Sequence, residues 1–400
     1  YPPDCPGTVH YDTLWVFDPY GAPGSWTERA DMPEAVFAAA GAEVEGILYV
    51  VGGSATLYAT TQLQTLYAYD PKIDTWTRKQ DMPTARELPV ANAVDGILYV
   101  IGGGSVLKEK CTGAVEFYDP KTDTWTPRSS MSPPRMDHAS CVLNGLIYVI
   151  GGLGNEMARL ATVQCYDPKT DQWTEKTSLP QAEWASVAQA VGGKIYLFSF
   201  NNTYAYDPNT DGWTRMAPVP SPGGYECPNG AGGTAEGVVY LFGGVSTSSA
   251  HCAFDLTFAY DPAQDLFSGR RMMPEPRCGA AFATINGKIY VVGGASGATP
   301  SCAGAVISKN LWVFDPQGGV MPRILSVARE PNDTVRLVWR GEKGRLYGVK
   351  SRAHVAKGAW VNFRLSDGSM TIRATSDTVE ATGTVPAADT ARFLRVYEAD

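Results

Sequence analysis

The residue types that a polar ligand or a proton-transfer step requires recur in short stretches of this chain. They are Glu34, Arg86, Glu87, Arg135, Asp137, His138, Glu183, Trp184, Tyr225, Glu226 and Arg277. A guanidinium grips a carboxylate through two parallel hydrogen bonds, a carboxylate accepts from sugar hydroxyls, and an aromatic ring stacks on a sugar face. Glu87, Glu183 and Glu226 are the candidate catalytic acids or bases, provided that desolvation lifts a carboxyl towards neutrality. Arg86, Arg135 and Arg277 are the candidates to hold a substrate carboxylate. Tyr58, Lys108, Lys110, Asn155, Arg159 and His251 extend the set. The alternative is that arginines and glutamates simply pair with each other. Other chemistries lack their signatures: there is no G-x-S-x-G, no H-E-x-x-H and no P-loop. No two cysteines are spaced C-x-x-C, which speaks against a structural zinc. No metal and no cofactor is implied.

The elements that position these residues repeat. GILYV stands at 46–50 and again at 96–100, and glycine pairs follow at Gly52-Gly53, Gly102-Gly103, Gly151-Gly152, Gly243-Gly244 and Gly293-Gly294. Ser199-Phe200 fills the missing slot. Downstream come Asp-Pro steps at Asp18, Asp70, Asp119, Asp167, Asp207, Asp261 and Asp315, then Trp76, Trp125, Trp173, Trp213 or Phe267, with Trp26 in the first copy. A period of roughly 40–54 residues means stacked units. The apolar word reads as a strand buried on both faces. Its glycines admit close backbone approach, Asp-Pro makes a tight turn, and the Trp covers the neighbouring unit. A four-stranded sheet of this kind cannot bury both faces alone, so the units are expected to close into a β-propeller.

The pattern of Gly-Gly, Tyr-Asp-Pro, Trp and Met-Pro resembles the kelch repeat over about residues 12–316, the copy at 181–220 being short. The fold class expected is therefore all-β: a six-bladed kelch β-propeller over 1–319, with seven blades as the lesser reading. TLWVFDP (13–19) parallels NLWVFDP (310–316), and the N-terminal strands are read as closing the last blade. Antiparallel connectivity places the polar residues above on one loop-rich face near the axis. Two kelch enzyme groups supply templates. Galactose oxidase-like proteins hold copper through Tyr and His, whereas this chain has only His10, His138, His251 and His354, dispersed. Sialic acid mutarotase-like proteins use Glu and Arg in a six-bladed ring without a metal, which matches the inventory better.

After Asp315-Pro316 the repeat stops. Alternating segments at 334–340, 345–352, 359–365, 370–376 and 391–398 suggest a C-terminal β-sandwich over 320–400, resembling fibronectin type III modules of secreted bacterial proteins. This tail carries 13 Lys+Arg against 9 Asp+Glu, the remainder 20 against 32. A net charge of −8 argues against nucleic acid, and no apolar run is long enough to span a bilayer. Eight cysteines, with Cys5, Cys111, Cys227, Cys252, Cys278 and Cys302 on the loop face, are read as disulfide candidates; Cys227–Cys252 and Cys278–Cys302 are possible pairs. Cys141 and Cys165 read as buried thiols. With a Tyr1 start, this suits a secreted or periplasmic monomer. The function expected is binding of a carbohydrate or protein ligand on the loop face. The alternative is a metal-independent carbohydrate-active enzyme: epimerase or mutarotase, glycoside hydrolase or lyase.

Overall fold

In the computed structural model, residues 24–57, 60–200, 202–220, 230–246, 253–296 and 306–316 are described, together with the backbone of strands Trp15–Val16 and Tyr225–Glu226 and of seven strands between Arg323 and Ala399. The chain divides into two units, Ser25–Pro316 and a second made of residues 1–24 with 317–400.

The larger unit is a six-bladed, all-β propeller. Blade one contains Ala40–Val44, Ile47–Val51, Leu66–Asp70 and Thr75–Lys79, paired antiparallel in that order. Blades two to five repeat the order from Val90, Ala139, Val187 and Ala231. Both GILYV words form second strands, and Leu48, Tyr49, Val50, Leu98, Tyr99 and Val100 are buried one blade apart. The outer strand shows solvent to all but its Trp and its end, as in Thr75–Lys79. The inner strands of successive blades touch in a closed ring.

Blades lock at their outer strands through a repeated device. Asp123 adopts a positive φ of 53–57° shared by its equivalents Asp74 and Asp171. Its carboxylate accepts from the Tyr118 hydroxyl (2.7 Å) and from the Gln80 amide at the end of the preceding blade (3.0 Å). Trp125 donates its indole N–H to the Gln80 carbonyl (2.8 Å). Asp74, Asp171, Asp211 and Asp265 accept from a Tyr hydroxyl and a preceding-blade amide in the same way. The first Asp of each motif bonds the turn amide two residues on, as Asp119 does to Lys121 (2.9 Å). One aspartate makes the turn and the next joins the blades.

The ring closes on one strand. Leu311–Asp315, the third strand of blade six, pairs with Ser25–Arg29, and Trp26 reaches the Arg271 carbonyl (3.0 Å). The expected closing segment TLWVFDP does not take this place: its Trp15–Val16 pairs in parallel with Phe393–Leu394 in the second unit. NLWVFDP already supplies blade six with its Asp-Pro strand, so only the Trp strand was wanting. In the second unit, strands Arg323–Glu330, Thr334–Arg340 and Thr378–Thr384 form one sheet, and Leu346–Arg352, Phe393–Ala399 and their short neighbours another. A separate β-sandwich is not distinguished there. Among the described residues, no helix is long and apolar enough to cross a membrane.

The disulfide reading is corrected. Cys111, Cys141, Cys165 and Cys278 all carry thiols. Cys111 directs its sulfur at the Leu153 carbonyl (3.2 Å) and Cys278 at that of Ala295 (3.6 Å). Cys111 thus bonds backbone of the following blade and Cys278 backbone of its own. Cys5, Cys227, Cys252 and Cys302 lie outside the described residues. Cys141 and Cys165 are buried in blade three, where desolvation raises both thiols.

Candidate functional site

The inner strands enclose an axial channel of about 390 Å³. Its wall is built from small side chains because blades crowd there. A Cβ on Gly41 would meet the Phe282 backbone at 2.6 Å, so only glycine fits. Ala91, Ser140, Ala188 and Gly232 hold the matching register positions opposite the second strands. Among the described residues, Phe282, half-buried, is the one Phe, Tyr or Trp that lines the channel.

The mouth on the loop face is a ring of peptide groups. Ala38, Leu88, Asp137, Ala185 and Gly279 occupy one column of the repeat, and each has φ between 53° and 60°. Four of these five amides donate to the carbonyl of the preceding blade. Ala38 donates to Gly279 (2.9 Å), Leu88 to Ala38 (2.9 Å), Asp137 to Leu88 (3.3 Å) and Ala185 to Asp137 (2.9 Å). A left-handed backbone at four non-glycine residues costs on the order of 1 kcal/mol or more each, and the cross-blade bonds offset it. In this column only Asp137 is titratable. It lines the channel, and burial alone pushes its carboxyl up to about 7.

The arginines do different work from that expected. Arg86, fully buried, donates through Nη1 to the carbonyls of Gly102 (3.2 Å) and Ala114 (2.8 Å). Its Nη2 reaches the Val100 carbonyl (3.3 Å) and pairs with Glu116 (2.8 Å). Arg135 repeats the clamp on Gly151 (2.9 Å) and Thr162 (3.0 Å), with Gln164 in place of the glutamate (3.2 Å). Arg277 holds Gly293 (2.9 Å) and pairs with Glu275 (2.6 Å). Burial pulls Arg86 and Arg135 down to about 10 despite their neighbours. These three guanidiniums bind the chain's own carbonyls, and none lines the channel.

In blade four the clamp is reversed. Glu183 accepts from Ser199 (2.7 Å), Asn202 (3.0 Å) and Gln181 (2.6 Å). Ser199 stands in the slot of the first glycine, so the missing glycine pair and the missing arginine are one exchange: a carbonyl acceptor became a hydroxyl donor, and its partner changed sign of polarity. Glu87 is buried, accepts the Val106 amide (2.7 Å), and is raised by desolvation, with Ser54 and Gln62 pulling the other way. It does not line the channel. His138 does, but its ring is buried against blade two, and burial together with Arg135 and Arg86 pushes it down to about 3. It is a neutral packing group. Trp184 lies half-buried on the loop face, with the Arg159 guanidinium 3.9 Å over its ring and Phe200 at 4.5 Å. Glu34 is exposed and neighbours the Tyr67 hydroxyl and Arg78, away from the axis. Tyr225 and Glu226 form a two-residue strand against Val245–Ser246. Lys108, Lys110 and Asn155 stand exposed on outer loops; Tyr58 and His251 lie outside the described residues.

Of the residues expected at the site, Asp137 and His138 line the channel. The mouth column itself was missed, although aligning the copies two residues after Arg86, Arg135 and Arg277 would have exposed it. Glu43, the other carboxylate lining the channel among the described residues, sits five positions further along the inner strand in repeat register, an offset along the strand direction of roughly 16 Å at 3.3 Å per residue. Among the described residues, no group of three His, Cys, Asp or Glu is placed to share a metal ion.

Comparison with known proteins agrees with this architecture. The KLHDC2/KLHL20/DRC7 Kelch-repeats domain matches residues 6–199, and the Kelch motif matches residues 276–320. Curated proteins give no significant match. Among solved structures, YjhT is similar, with a TM-score of 0.62 and 18% identity, covering 71% of this chain and 95% of that one. At this identity the likeness speaks to the fold.

Proposed function

We propose that this six-bladed kelch-repeat propeller is a metal-independent carbohydrate-active enzyme that receives one sugar ring at the channel mouth and exchanges a proton with it through Asp137. The observation that carries the reading is the position of Asp137: a carboxyl on the channel wall, lifted to about 7 by burial. A group with this affinity is present in both protonation states near neutral pH, as an acid–base catalyst should be. For a free sugar, the protonated Asp137 carboxyl donates its O–H to the ring oxygen while its carbonyl oxygen accepts the proton of the anomeric hydroxyl, so one carboxyl serves as acid and base. The ring opens and recloses with no net change in protons. Hydrolysis with two carboxyls would need them roughly 5–10 Å apart, which the offset between Asp137 and Glu43 along the strand direction does not support. Isomerisation of a sugar is therefore favoured over glycosidic cleavage.

Equilibration of pure anomers of a panel of aldoses, followed by NMR, tests the reading. Asp137→Asn is expected to lower the catalysed rate about 10²–10⁴-fold and to abolish an inflection near pH 7. Glu183→Gln is expected to lower stability and leave the rate of folded protein unchanged. A catalysed rate indifferent to Asp137→Asn refutes the assignment. Binding without turnover is the second reading, favoured by the Trp184–Arg159–Phe200 cluster on the loop face; sugar binding with no catalysed equilibration would select it.

A further inference from the structure

We infer that the ligand of the channel is an uncharged sugar and not a sugar acid, an inference that rests on the channel being the sugar site. Recognition of a carboxylate needs a guanidinium, an ammonium or a nest of unpaired amides. The structure removes each in turn. Arg86, Arg135 and Arg277, the cations nearest the mouth in sequence, are buried and point their terminal nitrogens at carbonyls and side-chain oxygens of the blades. Among the described residues, those lining the channel include Asp137 and Glu43 but no lysine or arginine. Amides of the mouth ring are taken as well: those of Ala38, Leu88, Asp137 and Ala185 all donate to carbonyls of adjacent blades. Arg159 lies over Trp184 on the loop face and does not line the channel.

Of the propeller segments not fully described, 58–59, 201, 221–229, 247–252 and 297–305 contain no lysine and no arginine in sequence, one histidine, His251, and one acid, Glu226. A ligand carboxylate entering this mouth would find no cation among the described lining residues. It would meet neutral hydroxyls and amides, such as those of Asn92, Ser140, Gln189 and Thr234, beside the acids Asp137 and Glu43. Like charge in a confined site is strongly unfavourable. Hydroxyl groups carry no such penalty, because they donate to those acids.

Matched pairs test the inference on the full chain: glucose with glucuronate, galactose with galacturonate, and N-acetylneuraminate as a further acid. Affinities are read by isothermal titration and saturation-transfer NMR in low salt. The expected result is that at least one neutral member binds at least about tenfold more tightly than its acid, and that Asp137→Asn, checked for its melting temperature, narrows the ratio. An acid that binds as tightly as its neutral partner, or more tightly, overturns the inference; if that binding also responds to Asp137→Asn, the channel remains the sugar site. Failure of every sugar, neutral and acid, to bind wild-type protein overturns the inference and the site together.

Discussion

Replacing Arg86 by Met separates a structural clamp from a ligand-binding group. The side chain holds the Gly102, Ala114 and Val100 carbonyls and pairs with Glu116, all in the interior of the ring. Met fills a similar volume but donates nothing. Glu116, only 5% exposed, would keep its bond from Thr84 (2.7 Å) and lose its counter-charge. Breaking a buried pair from one side costs about 3–5 kcal/mol. Each abandoned carbonyl adds to the loss on the order of 1 kcal/mol, partly counted already in that figure. Burial depresses the Arg86 guanidinium more than Glu116 restores it, so the charge itself is costly where it sits. Removing both charges, in Arg86→Met with Glu116→Leu, is therefore expected to restore about 1–3 kcal/mol relative to the single change. Urea unfolding of wild type, both single variants and the double variant measures the coupling. Sugar affinity of Arg86→Met, taken where it remains folded, should equal that of wild type. Normal stability with lost affinity would return Arg86 to the ligand and refute the clamp, and a double variant no better than the single would refute the charge argument.

Gly102→Ala should cost about 1–3 kcal/mol more than Gly145→Ala. Both glycines have positive φ, but a Cβ at Gly102 meets the Arg135 carbonyl oxygen at 2.7 Å, whereas at Gly145 nothing lies within 4 Å; equal losses of melting temperature would contradict the crowding. Asp123 is held below its ordinary 3.8, mainly by the Gln80 amide and then by the Tyr118 hydroxyl. A depressed carboxyl stabilises the fold above its unfolded value and loses that contribution as pH falls through the folded one. Asp123→Asn should thus melt lower than wild type at pH 7 and converge with it as pH falls below the folded-state value of the carboxyl; a gap that persists in acid would assign the effect to something other than the charge. Thiol titration of unfolded, unreduced protein should count at least the four thiols of Cys111, Cys141, Cys165 and Cys278, and a smaller count would reinstate a disulfide among them.

Much of the fold was legible because its determinants are local and repeated. The apolar words, the glycine pairs and the Asp-Pro turns act within a few residues of themselves, and in-phase recurrence turned weak signals into a ring of six. The site was legible only as a face. Arg86, Arg135, Arg277, Glu87 and Glu183 have the chemistry of a ligand grip, and residue type cannot tell a donor aimed at a substrate from one aimed at a carbonyl sixteen residues downstream. Blade four shows how the two are tied: Glu183 and Ser199 changed together, and read singly each looked like an irregularity.

Sequence alone determined that this chain builds stacked four-stranded units and that no standard catalytic motif is present, since both depend on short-range patterns. Ring closure by Ser25–Arg29 settled six blades over seven. Tertiary structure decided which polar groups remain available. Closure of the ring brings the columns of six distant segments to one axis, shuts the amides of Ala38, Leu88, Asp137 and Ala185 into neighbouring blades, and hands the arginines to backbone carbonyls. The same closure leaves Asp137 on the channel wall. Its carboxyl is lifted by the withdrawal of water from its surroundings, an effect of enclosure by segments far apart in the chain that no local pattern encodes.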